Sequence, residues 1–132
     1  MQATISLEKI NAQRLCEHIL GLDSSILFAS IITTSGEEIT SASKPSVPVM
    51  IGLAPDMRAT YTEGANAIVE VFKKGEPLLG ELGCIVASYK ALKVMIINLG
   101  EKINALAILV STKDLDSENV TYQISRVTRN FV

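Results

Sequence analysis

Residues 82–111 hold three apolar, β-branched runs in succession, LGCIVASYK, ALKVMIINLG and EKINALAILVST, broken only at Lys90 and at Gly100-Glu101-Lys102. Breaks this short leave no room for a crossover helix, so the runs are expected to be antiparallel neighbours in a meander. Upstream, SILFASIITT at 25–34 is almost wholly apolar or β-branched and predicts a strand covered on both faces. Ser35-Gly36 signals a tight turn, after which Glu37 to Ser43 continues as a second, more exposed strand and completes a hairpin. Strands this apolar need helices on one face and, on the other, either more helix or a second subunit.

Helical periodicity supplies those covers. Leu7, Ile10, Leu15, Ile19 and Leu22 recur at helical spacing over 6–21, with Ser6 as cap and Gly21 as stop. Met57, Tyr61, Ala65, Ile68 and Phe72 define one face of a helix over 57–74, with Asp56 as its cap and Gly75 and Pro77 beyond its end. Gly64 sits in the middle of that helix, where it costs about 1 kcal/mol relative to Ala, and suggests a close contact. Val120, Ile124, Val127 and Phe131 stripe a last helix over about 115–130. Between hairpin and second helix, KPSVPVMIGLAPD at 44–56 has too many prolines for a central strand, yet it is apolar. It is expected to fold back onto the core, with an exposed docking segment as the alternative.

Composition narrows the class. At 132 residues, with 48% hydrophobic and 20% charged residues, the chain is expected to be one globular domain, 1–132. A mean hydropathy of +0.33 is high for so small an interior and points to apolar surface covered by a partner. The net charge of −2 is spread without a basic stripe, which argues against nucleic acid. No apolar run reaches the roughly 20 residues of a membrane span, and MQATISLEKINAQRL is too polar for a signal peptide. A soluble, cytoplasmic protein is expected, with Cys16 and Cys84 as reduced core thiols and Asn119-Val120-Thr121 as a helix start and not a glycan site.

Catalytic constellations are missing from the pattern. His18 is the only histidine, so nucleophilic triads and a zinc site lack members. There is no phosphate-binding glycine loop. Glu37 and Glu38 fit a solvated hairpin turn, and Asp114, Asp116 and Glu118 complement the dipole of the last helix better than they form a calcium loop. An enzyme would have to draw on Tyr61, Tyr89 or Lys93. No cofactor, metal or catalytic residue is expected.

The order α-β-β-α-β-β-β-α resembles the roadblock (dynein light-chain type) superfamily. The resemblance rests on ILGLDSSI ending the first helix, LFASIITTSGEEI crossing a glycine turn, and LAILVST before an amphipathic helix, and it covers about residues 7–131. It is similar in particular to short archaeal members, and it departs from the pattern in the long apolar loop at 44–56. The resemblance implies an α/β fold with a five-stranded, mostly antiparallel sheet, roadblock/longin/profilin-like, with helices packed on it. It further implies a homodimer paired through the middle helix and an edge strand, acting as a scaffold or as a regulator of a Ras-like small GTPase or signalling complex, without enzymatic activity.

An exposed strand edge and the apolar excess ask for a partner independently. The candidate interface residues are Met57, Tyr61, Ile68 and Phe72, with an edge strand at Glu37 to Ser43 or at Ala87 to Lys93. Intrachain core is the competing role for those four side chains. The competing function is a small-molecule sensor of PAS/profilin-like architecture, with 44–56 as the lid of an apolar pocket.

Overall fold

A computed structural model describes residues 9–45, 55–100 and 103–129, with side chains described in those ranges except at 9–10 and 55–59. The Ser6 cap, residues 46–54 of the apolar loop, the Met57 side chain and Phe131 lie outside the described residues.

The elements run α1 (Lys9–Leu22), β1 (Ile26–Thr33), β2 (Glu38–Ser43), α2 (Pro55–Lys73), α3 (Glu76–Leu79), β3 (Cys84–Ser88), β4 (Lys93–Asn98), β5 (Ala105–Ser111) and α4 (Ser117–Thr128). All five strands join one antiparallel sheet in the order β2-β1-β5-β4-β3. The hairpin and the meander both form as the sequence pattern predicts. They are joined by β1 against β5, from Ile26 beside Ser111 to Thr33 beside Ala105. That seam leaves β2 and β3 as the two edges.

Alternation along the central strands buries both faces. On β5, Ala105, Ala107 and Leu109 turn to one face with Ala29, Ile31, Met95 and Ile97. Leu106, Ile108 and Val110 turn to the other with Phe28, Ile32 and Val94. The first face is covered by α1, through Ala12, Leu15, Cys16 and Ile19, and by α4, through Val120 and Ile124. The second is covered by α2, through Ala65 and Val69. Helices therefore lie on both faces.

Local chemistry sets the boundaries. Gly36 adopts φ +93 in the β1–β2 turn, a left-handed conformation that favours glycine. Thr33 N–H donates to the Glu37 carbonyl there at 2.8 Å. The Asp116 carboxylate accepts from Asn119 N–H at 3.1 Å and caps α4, which places Asn119 in the first turn. Two expectations change. Helix α2 begins at Pro55, so Asp56 lies in its first turn and is not its cap; proline suits a first helical position because its missing N–H is unbonded there anyway. Pro77 does not simply follow the helix end: it sits in the first turn of α3, a short helix capped by Gly75.

Candidate functional site

Helix α2 presents more apolar surface than the sheet can take. Thr62, Ala65 and Val69, at steps of three and four, are buried and form its inward line. The predicted stripe is rotated away from that line. Tyr61 is half-buried, Ile68 is 39% exposed and Phe72 is 53% exposed, beside Val71 at 61%. Of the predicted stripe only Ala65 is core among the described side chains, so Ile68 and Phe72 are surface residues and not intrachain core.

Between α2 and the β3 edge runs a groove of about 310 Å³, lined by Thr60, Tyr61, Gly64, Ala65 and Ile68 from α2, Ile85 and Ala87 from β3, and Val94 and Ile96 from β4. The lining is almost wholly apolar and the groove opens to solvent. Gly64 makes no close contact: a Cβ built there meets no atom within 4 Å. At one end the Tyr61 and Tyr89 hydroxyls share a hydrogen bond of 2.8 Å. That bond, with burial second, raises the Tyr61 phenol above its ordinary pKa. Beyond the C-terminal end of α2, Leu78 and Leu79 of α3 stand 91% and 88% exposed. The sequence pattern missed these two leucines, because one turn of helix carries no periodicity to read.

The β3 edge borders the groove with backbone groups that pair with no strand among the described residues. Asn98 N–H donates to the Gly83 carbonyl at 3.2 Å, and Tyr89 N–H to the Leu92 carbonyl at 2.9 Å. The register between them runs without a shift, from Cys84 beside Ile97 to Ser88 beside Lys93. Antiparallel pairing alternates, so the odd-numbered residues bond inward to β4, and Cys84, Val86 and Ser88 turn their N–H and C=O groups to the open edge. The expected edge at Ala87 to Lys93 is corrected in part. Ala87 and Ser88 lie on edge strand β3, but Lys93 begins β4, which lies between β3 and β5. Strand β2, the other expected edge, is one.

The remaining candidates are structural. Lys93 Nζ donates to the Leu115 carbonyl at 2.6 Å and ties β4 to the approach of α4. Lys113 donates to the Ser88 hydroxyl and the Tyr89 carbonyl at the β3–β4 turn. Cys16 is buried on the sheet-facing side of α1, its thiol within 3.6 Å of the Ala29 carbonyl; burial, with Glu38 and Glu17 adding, pushes its pKa up to about 12. Such a thiol is protonated and unreactive. His18 is exposed on α1 beside a groove of about 550 Å³ shared with Asn119, Tyr122 and Arg126 of α4. Among the described residues no three His, Cys, Asp or Glu side chains come together as a metal site, and no helix is long and apolar enough to cross a membrane.

No family model and no curated protein matches the chain. Several solved structures do match it. A Roadblock/LC7 domain from Streptomyces avermitilis superposes with a TM-score of 0.66 at 11% identity, covering 89% of this chain and 91% of its own. The gliding protein MglB from Thermus thermophilus gives 0.67 at 14% identity, covering 98% and 99%. An MglB described with a tetrameric arrangement gives 0.66 at 15% identity over the whole of both chains. Identities this low speak to fold and not to activity or origin, and the likeness to short archaeal members rests on the sequence pattern alone. Strand order, helix placement and these superpositions agree: the chain has the roadblock fold.

Proposed function

We propose that this chain is a non-enzymatic interaction module that works as a homodimer, pairing through α2 and the β3 edge and offering the pair to a protein partner, a Ras-like small GTPase or a signalling complex. One observation carries the reading. An apolar face formed by Tyr61, Ile68, Phe72 and the α2–β3 groove lies directly beside a strand edge with unpaired backbone groups. A second copy meets both needs at once, since edge pairing satisfies the hydrogen bonds and extends the sheet while the helices cover the apolar flank. Met57, one helical turn before Tyr61, belongs to the same proposed interface. The tetrameric MglB is a precedent for assembly on this fold. The GTPase partner rests on the resemblance to roadblock proteins.

The test is solution mass by size-exclusion chromatography with light scattering, followed by binding of the purified species to Ras-like GTPases loaded with GDP or a GTP analogue. A mass of twice the 14.2 kDa chain and nucleotide-dependent binding are expected. A monomer at high concentration that binds none of them refutes the reading. The sensing alternative takes the same apolar groove as its pocket. It predicts a monomer whose melting temperature rises with an apolar metabolite.

A further inference from the structure

We infer that Leu78 and Leu79 of one copy seat in the α2–β3 groove of the other, a reciprocal clasp about a two-fold axis at Val86. The inference rests on the homodimer reading and adds to it the register and the residues that lock it.

The two leucines are held outward by a built structure. Leu78 N–H and Leu79 N–H both donate to the Gly75 carbonyl, at 3.1 and 2.9 Å, and Gly80 N–H donates to the Glu76 carbonyl at 2.9 Å. The Glu76 carboxylate then accepts from Leu82 N–H at 2.8 Å, which pins α3 to the approach of β3. Two adjacent leucines fixed in water are unfavourable unless something covers them.

The free edge selects the register. A two-fold axis perpendicular to the sheet makes the two β3 strands antiparallel. Centring it on Val86 puts Val86 opposite itself and Cys84 opposite the partner's Ser88, the residues whose backbone groups face outward. This register uses the whole free row.

The same register brings α3 to the groove. Helix α2 runs antiparallel to β3, since Tyr61 meets Tyr89 at one end while the chain leaving the other end of α2 reaches Leu82 through α3. Leu82 is four residues from the axis, about 13 Å, and the partner's Tyr89 is three residues from it on the same side, about 10 Å. The leucines of one copy therefore arrive at the Tyr61–Gly64 end of the other's groove. An apolar cavity of ~150 Å³ holds a benzene ring. The groove's 310 Å³ accordingly takes the two leucine side chains, and the space above Gly64 is open to receive them.

Two measurements test the clasp. The first is the dimer dissociation constant of Leu78→Ser/Leu79→Ser by sedimentation equilibrium. Both residues are exposed in a single copy, so circular dichroism is expected to be unchanged, while dimerisation weakens at least about a hundredfold. The second mixes differently tagged Leu79→Cys and Gly64→Cys chains, each also carrying Cys84→Ser, under oxidising conditions; a disulfide joining the two tags is expected. A double serine variant that dimerises like wild type, or the absence of the mixed disulfide in a sample that is dimeric by light scattering, overturns the clasp and leaves the homodimer standing. A wild-type chain that is monomeric throughout overturns both.

Discussion

Gly64→Arg separates the fold from the assembly. Within one copy the substitution helps. Gly64 lies in the interior of α2 with nothing within 4 Å of a Cβ, and Arg is close to Ala in helix propensity, so the helix gains about 0.8 kcal/mol. For a domain of this size that raises the melting temperature by about 3 °C. Between copies the same side chain is ruinous. Among the described residues the groove lining has no carboxylate to receive a guanidinium. An unpaired buried charge costs several kcal/mol even after relaxation, and two-fold symmetry applies the cost twice. A total penalty of about 5 kcal/mol raises the dimer dissociation constant more than about a thousandfold.

Two readouts follow the two effects. Urea unfolding at concentrations where both chains are monomeric is expected to show the variant at least as stable as wild type. Light scattering at high concentration is expected to show one 14.2 kDa chain where wild type shows two. A variant that remains dimeric places the pairing elsewhere, with the β2 edge next in line. A variant that is less stable as a monomer shows that the space at Gly64 is not open, and the groove loses its role.

Asp116→Ala removes the side-chain acceptor for Asn119 N–H and is expected to cost about 1 kcal/mol, read as a lower melting temperature; an unchanged melt refutes the cap. Thiol titration of the native protein near pH 8 is expected to label Cys84 and leave Cys16 unlabelled until denaturant is added. Because Cys16 titrates at about 12 when folded and near its ordinary 9.0 when unfolded, its contribution to stability is present below pH 9 and is lost as pH rises from there towards 12. A Cys16→Ala variant should lose that part of the alkaline dependence. Lys93→Met strands the Leu115 carbonyl and is expected to destabilise the chain by about 1–2 kcal/mol in urea unfolding.

The strands were legible because β4 and β5 are near-continuous apolar, β-branched runs separated by short turns. Their order was less so: the β1–β5 seam joins residues about eighty positions apart, and no local pattern announces such a pairing. Helix α2 shows a subtler limit. Apolar residues occupy more than one of its faces, and periodicity alone cannot say which is inward. The stripe through Tyr61, Ile68 and Phe72 was visible, but the sheet engages the line through Thr62, Ala65 and Val69, which contains a polar residue and is shorter. Gly64 carried the right signal with a different cause, since it opens the wall of a groove and does not admit a neighbouring backbone. The candidate site became clear only when β3 fell at the sheet edge beside that groove.

The asymmetry of the second sheet face shows why the β3 flank, and not the β2 flank, calls for a partner. Five strands spaced about 4.8 Å apart make a face some 20 Å wide, and one helix of about 10 Å covers half of it. Among the described residues the first face carries two helices, α1 and α4, and the second carries α2. Its flanks differ in chemistry. Towards β2 the residues on this face are polar, with the Ser30 hydroxyl donating to the Glu38 carboxylate at 2.9 Å and Ser41 beside Ser30. Towards β3 they are Ile85 and Ala87, followed outward by backbone groups without partners within the sheet. Both flanks end in an open strand edge, but the polar flank pairs side chains of its own and sits well in water, whereas the apolar flank leaves Ile85 and Ala87 beside its edge. A second copy turned about that edge supplies what the one-helix face lacks, and the apolar excess in the composition then becomes interface.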